Sequence, residues 1–268
     1  MPDPFDYQGK HVFVAGGSSG INLGIADRFA AHGANLSLQG RKQDKLDAAV
    51  AQLNAHGVKA HGYAADVRDY GKTAEALAQA AQAFGPIDVL VSGAAGNFPA
   101  PAVGLSSNGF KAVLDIDVLG TFHVLRAGFE HLAKPGASII NVSAPQSTLP
   151  TVLQAHVCAA KAGVDMLTKT LALEWASAGV RVNAISPGPI DDTEGMRRLS
   201  PSAEARDAVC ASLPLGRFGT VSEIGDVALF LASPLASYMT GVVLAVDGGW
   251  QLVGSGMMSA ALNKALGL

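Results

Sequence analysis

Seven short runs of β-branched or apolar residues recur along this chain with segments of helical spacing between them, and that alternation restricts the fold more than any other feature. The runs are His11 to Ala15, Asn35 to Leu38, Lys59 to Ala64, Val89 to Ser92, Ser138 to Val142, Arg181 to Ile185 and Val242 to Val246. Between them, stretches such as Gln43 to His56 and Thr73 to Phe84 place apolar side chains at the spacing of one helix face. A β-α-β-α order covers both faces of a sheet with helices, so it predicts a parallel, doubly wound, seven-stranded sheet in a three-layer α/β/α arrangement. No internal repeat or linker divides the 268 residues, and residues 1–268 are expected to form a single domain. The stretch 187–214 interrupts the pattern. It opens with Pro-Gly-Pro after a strand and reads either as a lid over a ligand at the carboxyl ends of the strands or as an ordinary surface excursion.

With hydrophobic residues at 49%, charged ones at 15% and 31 glycines, disorder is excluded and close helix-on-sheet packing is favoured. The net charge of -3 and the absence of basic runs exclude a nucleic-acid partner. Cys158 and Cys210 are too few for a disulfide framework, Met1-Pro2-Asp3-Pro4 opens no secretion signal, and no run reaches the roughly 18 apolar residues of a membrane span. A soluble, reducing compartment is expected, with no membrane partner and no metal site. Ala265-Leu266-Gly267-Leu268 lacks the S-K-L type of peroxisomal address, so the expected location is cytoplasmic.

After the first run comes Ala15-Gly16-Gly17-Ser18-Ser19-Gly20-Ile21-Asn22-Leu23-Gly24, leading into a helix expected from Ile25 to His32. A glycine-rich strand-to-helix turn lets backbone amides approach a pyrophosphate closely, which makes Gly16, Ser18, Ser19, Gly20 and Ile21 candidate cofactor contacts in a Rossmann-type fold. Such turns also serve simple packing. Where an NAD site commonly carries an acid after the second strand, this chain has Gln39-Gly40-Arg41-Lys42. A carboxylate repels a 2′-phosphate and a guanidinium grips it, so Arg41 points to NADP(H); the alternative is a solvated arginine at a helix start.

In this order of elements the chain resembles the short-chain dehydrogenase/reductase family over nearly its whole length. The family's T-G-x-x-x-G-x-G turn falls on Ala15, Gly16, Gly20 and Asn22, and its N-A-G segment on Gly93-Ala94-Ala95. Asn22 is therefore a departure, expected to tolerate unusual backbone angles and to alter the local phosphate contact. The resemblance implies that Asp66 and Val67 meet the adenine, that Gly93, Ala94 and Ala95 line the cofactor cleft, and that Pro187, Gly188, Ile190 and Thr193 lie at its nicotinamide end.

Most members of that family move a proton with Tyr and Ser beside Asn and Lys. Here the lysine is Lys161, the tyrosine position is Val157, the serine position is Ala144 and the asparagine position is Asp117. Neither Val nor Ala transfers a proton. The same departures, together with Ala94-Ala95-Gly96-Asn97-Phe98, Asp115-Ile116-Asp117, Asn141-Val142-Ser143-Ala144 and the Pro187-Gly188-Pro189-Ile190 segment with Thr193 to Leu199, resemble peroxisomal-type 2,4-dienoyl-CoA reductases. The mitochondrial branch has its tyrosine where this chain has Gln146.

That likeness implies NADPH-dependent reduction of a fatty 2,4-dienoyl-CoA to a 3-enoyl-CoA in unsaturated fatty acid degradation. Hydride arrives at the δ-carbon, and the α-carbon is protonated through a held water. It implies that Lys161 holds the nicotinamide ribose, that Asn97 and Phe98 line the acyl pocket, structural packing being the alternative for both, and that the chain forms a homo-oligomer, a tetramer in the family.

Lys161 and Asp165 are four residues apart and share a helix face with Val157. Together with Asp117 they are the candidate catalytic group, Asp117 reading alternatively as a buried acid satisfied by backbone amides. Arg197 and Arg198 either meet the phosphates of coenzyme A or sit on a solvated lid face. His156 and Cys158 flank the vacant tyrosine position and read as packing. The rival functions are another short-chain reductase acting on an enoyl or 3-oxoacyl thioester, and a non-catalytic NADP(H) sensor.

Overall fold

The computed structural model describes residues 3–199 and 202–255, leaving the C-terminal Ala265 to Leu268 outside the described residues. Seven parallel strands form one sheet in the order β3-β2-β1-β4-β5-β6-β7. They are β1 (His11–Ala15), β2 (Asn35–Gly40), β3 (Ala60–Ala64), β4 (Val89–Ser92), β5 (Ser138–Val142), β6 (Arg181–Pro187) and β7 (Val243–Val246). The order reverses between β1 and β4, and the crevice for a ligand opens at the carboxyl ends of the strands there. Because β1, β4 and β5 are covered on both faces they are buried at every position, which is why each reads as an apolar run rather than an alternation.

On one face α1 (Gly20–Ala31), α2 (Gln43–Asn54) and α9 (Val221–Ala232) pack over a core containing Ile25, Phe29, Leu36, Leu38, Leu46 and Leu53. On the other, α3 (Tyr70–Phe84), α5 (Gly120–Gly128) and α6 (Ala155–Trp175) cover Phe13, Leu77, Leu90, Leu125 and Ile139. Both layers close to near-zero exposure at these positions, as native packing requires.

Two features differ from expectation, the start of α1 and the 187–214 stretch, and a third, the π-helical turn, was not anticipated. Helix α1 starts at Gly20, not Ile25, because Gly20, Asn22 and Gly24 are weak helix formers that tertiary packing overrides: a Cβ at Gly24 would meet Val221 of α9 at 2.5 Å. The helix before β5 contains α4 (Ser107–Leu114) and α5 joined by a π-helical turn, Asp115–Leu119, in which the Gly120 N–H donates to the Asp115 carbonyl. The 187–214 stretch is not irregular but carries α7 (Glu194–Leu199) and α8 (Ala203–Ser212). Arg206 of α8 holds Asp191 with two bonds of 2.7 and 2.5 Å, closing the stretch on itself, and lies over the Phe218 ring beyond it. Among the described residues no helix is long and apolar enough to cross a membrane.

Candidate active site

The glycine turn is held by close approach. Gly16 has φ +77°, and a Cβ there would lie 2.9 Å from the Ala94 nitrogen, so only glycine lets β1 turn so near the end of β4. The Gly16 and Gly17 amides donate to the Gln39 carbonyl at 2.8 and 3.1 Å, which leaves the first amides of α1 as the donors facing outward. Ser19 caps that helix without a side-chain bond, and no acid stands in its first turn, the arrangement an anion needs.

Gly16, Ser18, Ser19, Arg41, Asp66, Val67, Gly93, Ala94 and Ala95 converge on one cleft of about 260 Å³. Arg68 donates to the Asp66 carboxylate at 3.0 and 2.6 Å and holds it below the usual carboxylate range. Arg41 is exposed on the rim of the cleft. A diphosphate at the α1 amides with its adenosine toward Arg41 and Asp66 is what these donors and this space fit.

Asn22 departs from its expected role. Its backbone is helical, and its side chain crosses away from the α1 amides, donating to the Gly93 carbonyl at 2.8 Å and the Gly16 carbonyl at 3.3 Å.

A second cavity of about 340 Å³ continues from the same joint and is lined by Ile21, Gly93, Ala95, Asn97, Val142, Ser143, Ala144, Gln146, Val157, Lys161, Pro187, Gly188, Ile190, Thr193, Met196, Val209 and Trp250. Val157 and Ala144 stand in its wall where the proton-moving pair of the family belongs. Lys161 reaches it from α6, its side chain 8% exposed, and donates to the Val142 carbonyl at 3.0 Å.

Asp117 lies behind Lys161, with its side chain fully buried. One carboxylate oxygen accepts from the Gly96 amide at 2.7 Å and the other stands 3.3 Å from Lys161 Nζ. Both readings of Asp117 are thus half met: a backbone amide bonds one oxygen, while the other faces the ammonium at ion-pair distance and, among the described residues, has no hydrogen-bond donor. Asp165 is buried on the same face of α6 as Lys161, but it accepts from the Ser143 hydroxyl, and among the described residues no ion pair joins it to Lys161. Asp117, Lys161 and Asp165 therefore do not converge on one point. Lys161 and Ser143 form the cavity wall, and the two acids stand behind them.

Sequence reasoning missed Ser143, one residue from the position that spacing assigns to a serine, and the amide chain in which Gln146 donates to Gln154 at 2.9 Å and Gln154 to Asn97 at 3.3 Å. Phe98 takes the packing alternative. Its ring lies 4.4 Å from that of His156 and packs with Val113, Val157 and Ala160, so it supports the cavity wall from behind instead of lining it. His156 is fully buried, as the packing reading has it. Arg197 is exposed on α7 and does not line this cavity; the Arg198 side chain lies outside the described residues. Thr193 caps α7 and lines the cavity beside Ile190, whose carbonyl accepts from the Thr193 hydroxyl at 2.8 Å.

A doubly wound sheet with a glycine-turn cleft at its strand reversal and a buried lysine in the adjoining cavity is the arrangement of an oxidoreductase that uses a nicotinamide dinucleotide. The chain belongs to the short-chain dehydrogenase/reductase family. Residues 15–251 match the family described as "Enoyl-(Acyl carrier protein) reductase". A short chain dehydrogenase from Bacillus anthracis is similar in structure, with a TM-score of 0.84 and 37% identity, covering 91% of this chain and 97% of that one.

Within the family, several curated relatives that match along most of the chain are named 2,4-dienoyl-CoA reductases. "Peroxisomal 2,4-dienoyl-CoA reductase [(3E)-enoyl-CoA-producing]" of Mus musculus is 43% identical over 93% of this chain and 87% of its own length. "Probable 2,4-dienoyl-CoA reductase [(2E)-enoyl-CoA-producing]" of Bacillus subtilis is 39% identical over 90% of this chain and 96% of its own.

Proposed function

We propose that this protein is an NADPH-dependent 2,4-dienoyl-CoA reductase that yields a 3-enoyl-CoA in the degradation of unsaturated fatty acids. The observation that carries the reading is the cavity wall itself: Val157 and Ala144 stand where ketone chemistry needs a tyrosine and a serine, while Lys161 is retained and backed by a buried acid. NADPH, when bound, supplies the hydride. Lys161 offers its charge to the developing dienolate from a water-poor wall of Val142, Val157, Ile190 and Trp250, where a fixed charge acts more strongly than in water. Asp117 is a positioning residue for that ammonium. The Ser143–Asp165 pair, bordering the same wall, orders the water that protonates the α-carbon. Asn97 and Gln146 offer amides to the thioester end, and Arg41 receives the 2′-phosphate.

The stretch 187–214 serves as a lid, since Thr193, Met196 and Val209 form part of the cavity lining. Exposed apolar side chains on the outer faces of α5 and α6, Phe122, Met166 and Leu173, support a homo-oligomer, a tetramer by family likeness. The location proposed is cytoplasmic. The deciding experiment follows NADPH oxidation with a trans-2,trans-4-dienoyl-CoA beside NADH, a 2-enoyl-CoA and a 3-oxoacyl-CoA, with the product double bond placed by NMR. Dienoyl-dependent turnover with a 3-enoyl product supports the reading. Turnover only of the other thioesters reassigns the substrate, and tight binding with no turnover makes the chain a dinucleotide sensor.

A further inference from the structure

Asn22 and Gly93 depart from the family pattern in opposite directions, one placing an amide where that pattern has glycine, the other a glycine where it has an amide. The structure shows the two departures occupying one space. A Cβ placed on Gly93 would fall 2.0 Å from Asn22 Oδ1, 2.5 Å from its Cγ and 2.6 Å from its Nδ2, so a side chain at position 93 displaces the Asn22 amide from where it stands. Asn22 is 8% exposed and, among the described residues, its Oδ1 has no hydrogen-bond partner, a cost that a merely space-filling residue would not carry. Its Nδ2 bonds to the carbonyls of Gly16 and Gly93, tying the end of β1 to the end of β4. Both residues line both halves of the dinucleotide cleft and stand at the joint between them.

We infer that Asn22 is a positioning residue for the dinucleotide and that Gly93 is its obligatory complement: one amide has been moved from the strand end to the helix, where it fixes the angle between the two half-sites. Neither departure works alone. This rests on dinucleotide binding and not on the dienoyl reaction, so absence of dienoyl turnover would leave it standing.

The test is a double-mutant cycle read by dissociation constants and thermal midpoints of Asn22→Gly, Gly93→Ala, Asn22→Gly/Gly93→Ala and Asn22→Gly/Gly93→Asn. The ligands are whichever of NADPH and NADH the wild type binds more tightly, and its adenosine half alone (adenosine 2′,5′-bisphosphate or AMP). Asn22→Gly weakens the whole dinucleotide about tenfold, the scale of a lost buried hydrogen bond. Gly93→Ala weakens it at least as much in the wild-type background and less than about twofold in the Asn22→Gly background. The swapped pair Asn22→Gly/Gly93→Asn binds within about threefold of wild type. The adenosine half changes less than about twofold throughout, because it engages one half-site only.

Equal cost of Gly93→Ala in both backgrounds overturns the inference. So does a swapped pair no better than Asn22→Gly alone, a comparison that survives failure of Gly93→Ala to fold. Parallel loss of the adenosine half would reduce Asn22 to a sheet stabiliser, and a wild type that binds neither dinucleotide would overturn this inference and the proposed function together.

Discussion

Replacing Asp117 by alanine leaves the Lys161 ammonium, 8% exposed, with the Val142 carbonyl as its remaining bonded partner. Removing one member of a buried ion pair costs about 3–5 kcal/mol, because the survivor keeps its desolvation penalty without its counter-charge. At an unfolding entropy of about 2.1 cal/mol/K per residue over 268 residues, that loss lowers the thermal midpoint by about 5–9 °C. Asp117→Asn keeps an oxygen for the Gly96 amide and loses only the charge, so it falls between. Lys161→Met in the Asp117→Asn background removes the unpaired charge and recovers part of the midpoint, while dienoyl turnover stays lost because nothing faces the dienolate. Differential scanning calorimetry of the apoprotein at two salt concentrations provides the assay, buried pairs being little screened. A midpoint for Asp117→Ala within about 2 °C of wild type, which corresponds to roughly 1 kcal/mol, would show that the pair is solvated and that Asp117 does not set the state of Lys161.

Arg41→Asp weakens NADPH about 10- to 30-fold and leaves NADH within about threefold, by loss of one charge-assisted contact at an exposed rim; equal loss for both cofactors in fluorescence titration would refute the 2′-phosphate role. Gln146→Leu raises KM for the dienoyl thioester about 5- to 20-fold without changing the cofactor dissociation constant, and an unchanged KM would remove Gln146 from substrate recognition. Burial holds His11 below its ordinary value of 6.5, against the raising influence of the Gly85 carbonyl and of Asp88. A depressed folded-state value means that its stabilisation is present above about pH 6.5 and is lost as pH falls. The midpoint of wild type should therefore drop from pH 7 to pH 5 more steeply than that of His11→Gln, and parallel slopes would exclude His11 as a cause.

The strands were legible because two-sided burial writes itself as apolar runs: β1, β4 and β5 have the bounds that the sequence predicts. β2 and β6 run two residues longer, since Gln39-Gly40 and Ser186-Pro187 pair along the ladder without being apolar. The glycine turn was equally plain as a turn. What spacing along one helix does not reveal is which partner a side chain finds across the fold. Lys161 and Asp165 share a face of α6, yet one turns to Asp117 and the other to Ser143. Phe98 comes six residues after β4, and only the packing of α6 decides that it faces His156. Asn22 read as a backbone adaptation because its true neighbour, Gly93, is 71 residues away.

The π-helical turn at Asp115–Leu119 gives the length of this helix a meaning of its own. A wider turn holds one more residue than the α-helical turn it replaces and rotates everything beyond it by about 100°. Asp117 sits in that wider turn, with α4 before it packed against α6 and α5 after it packed against α3. Deleting a single residue between 115 and 119 would leave composition and hydropathy nearly unchanged, yet it would put either Asp117 or the α5 core face out of phase. The helix behaves as a vernier: its residue count, more than its side chains, decides whether an acid stands behind the lysine.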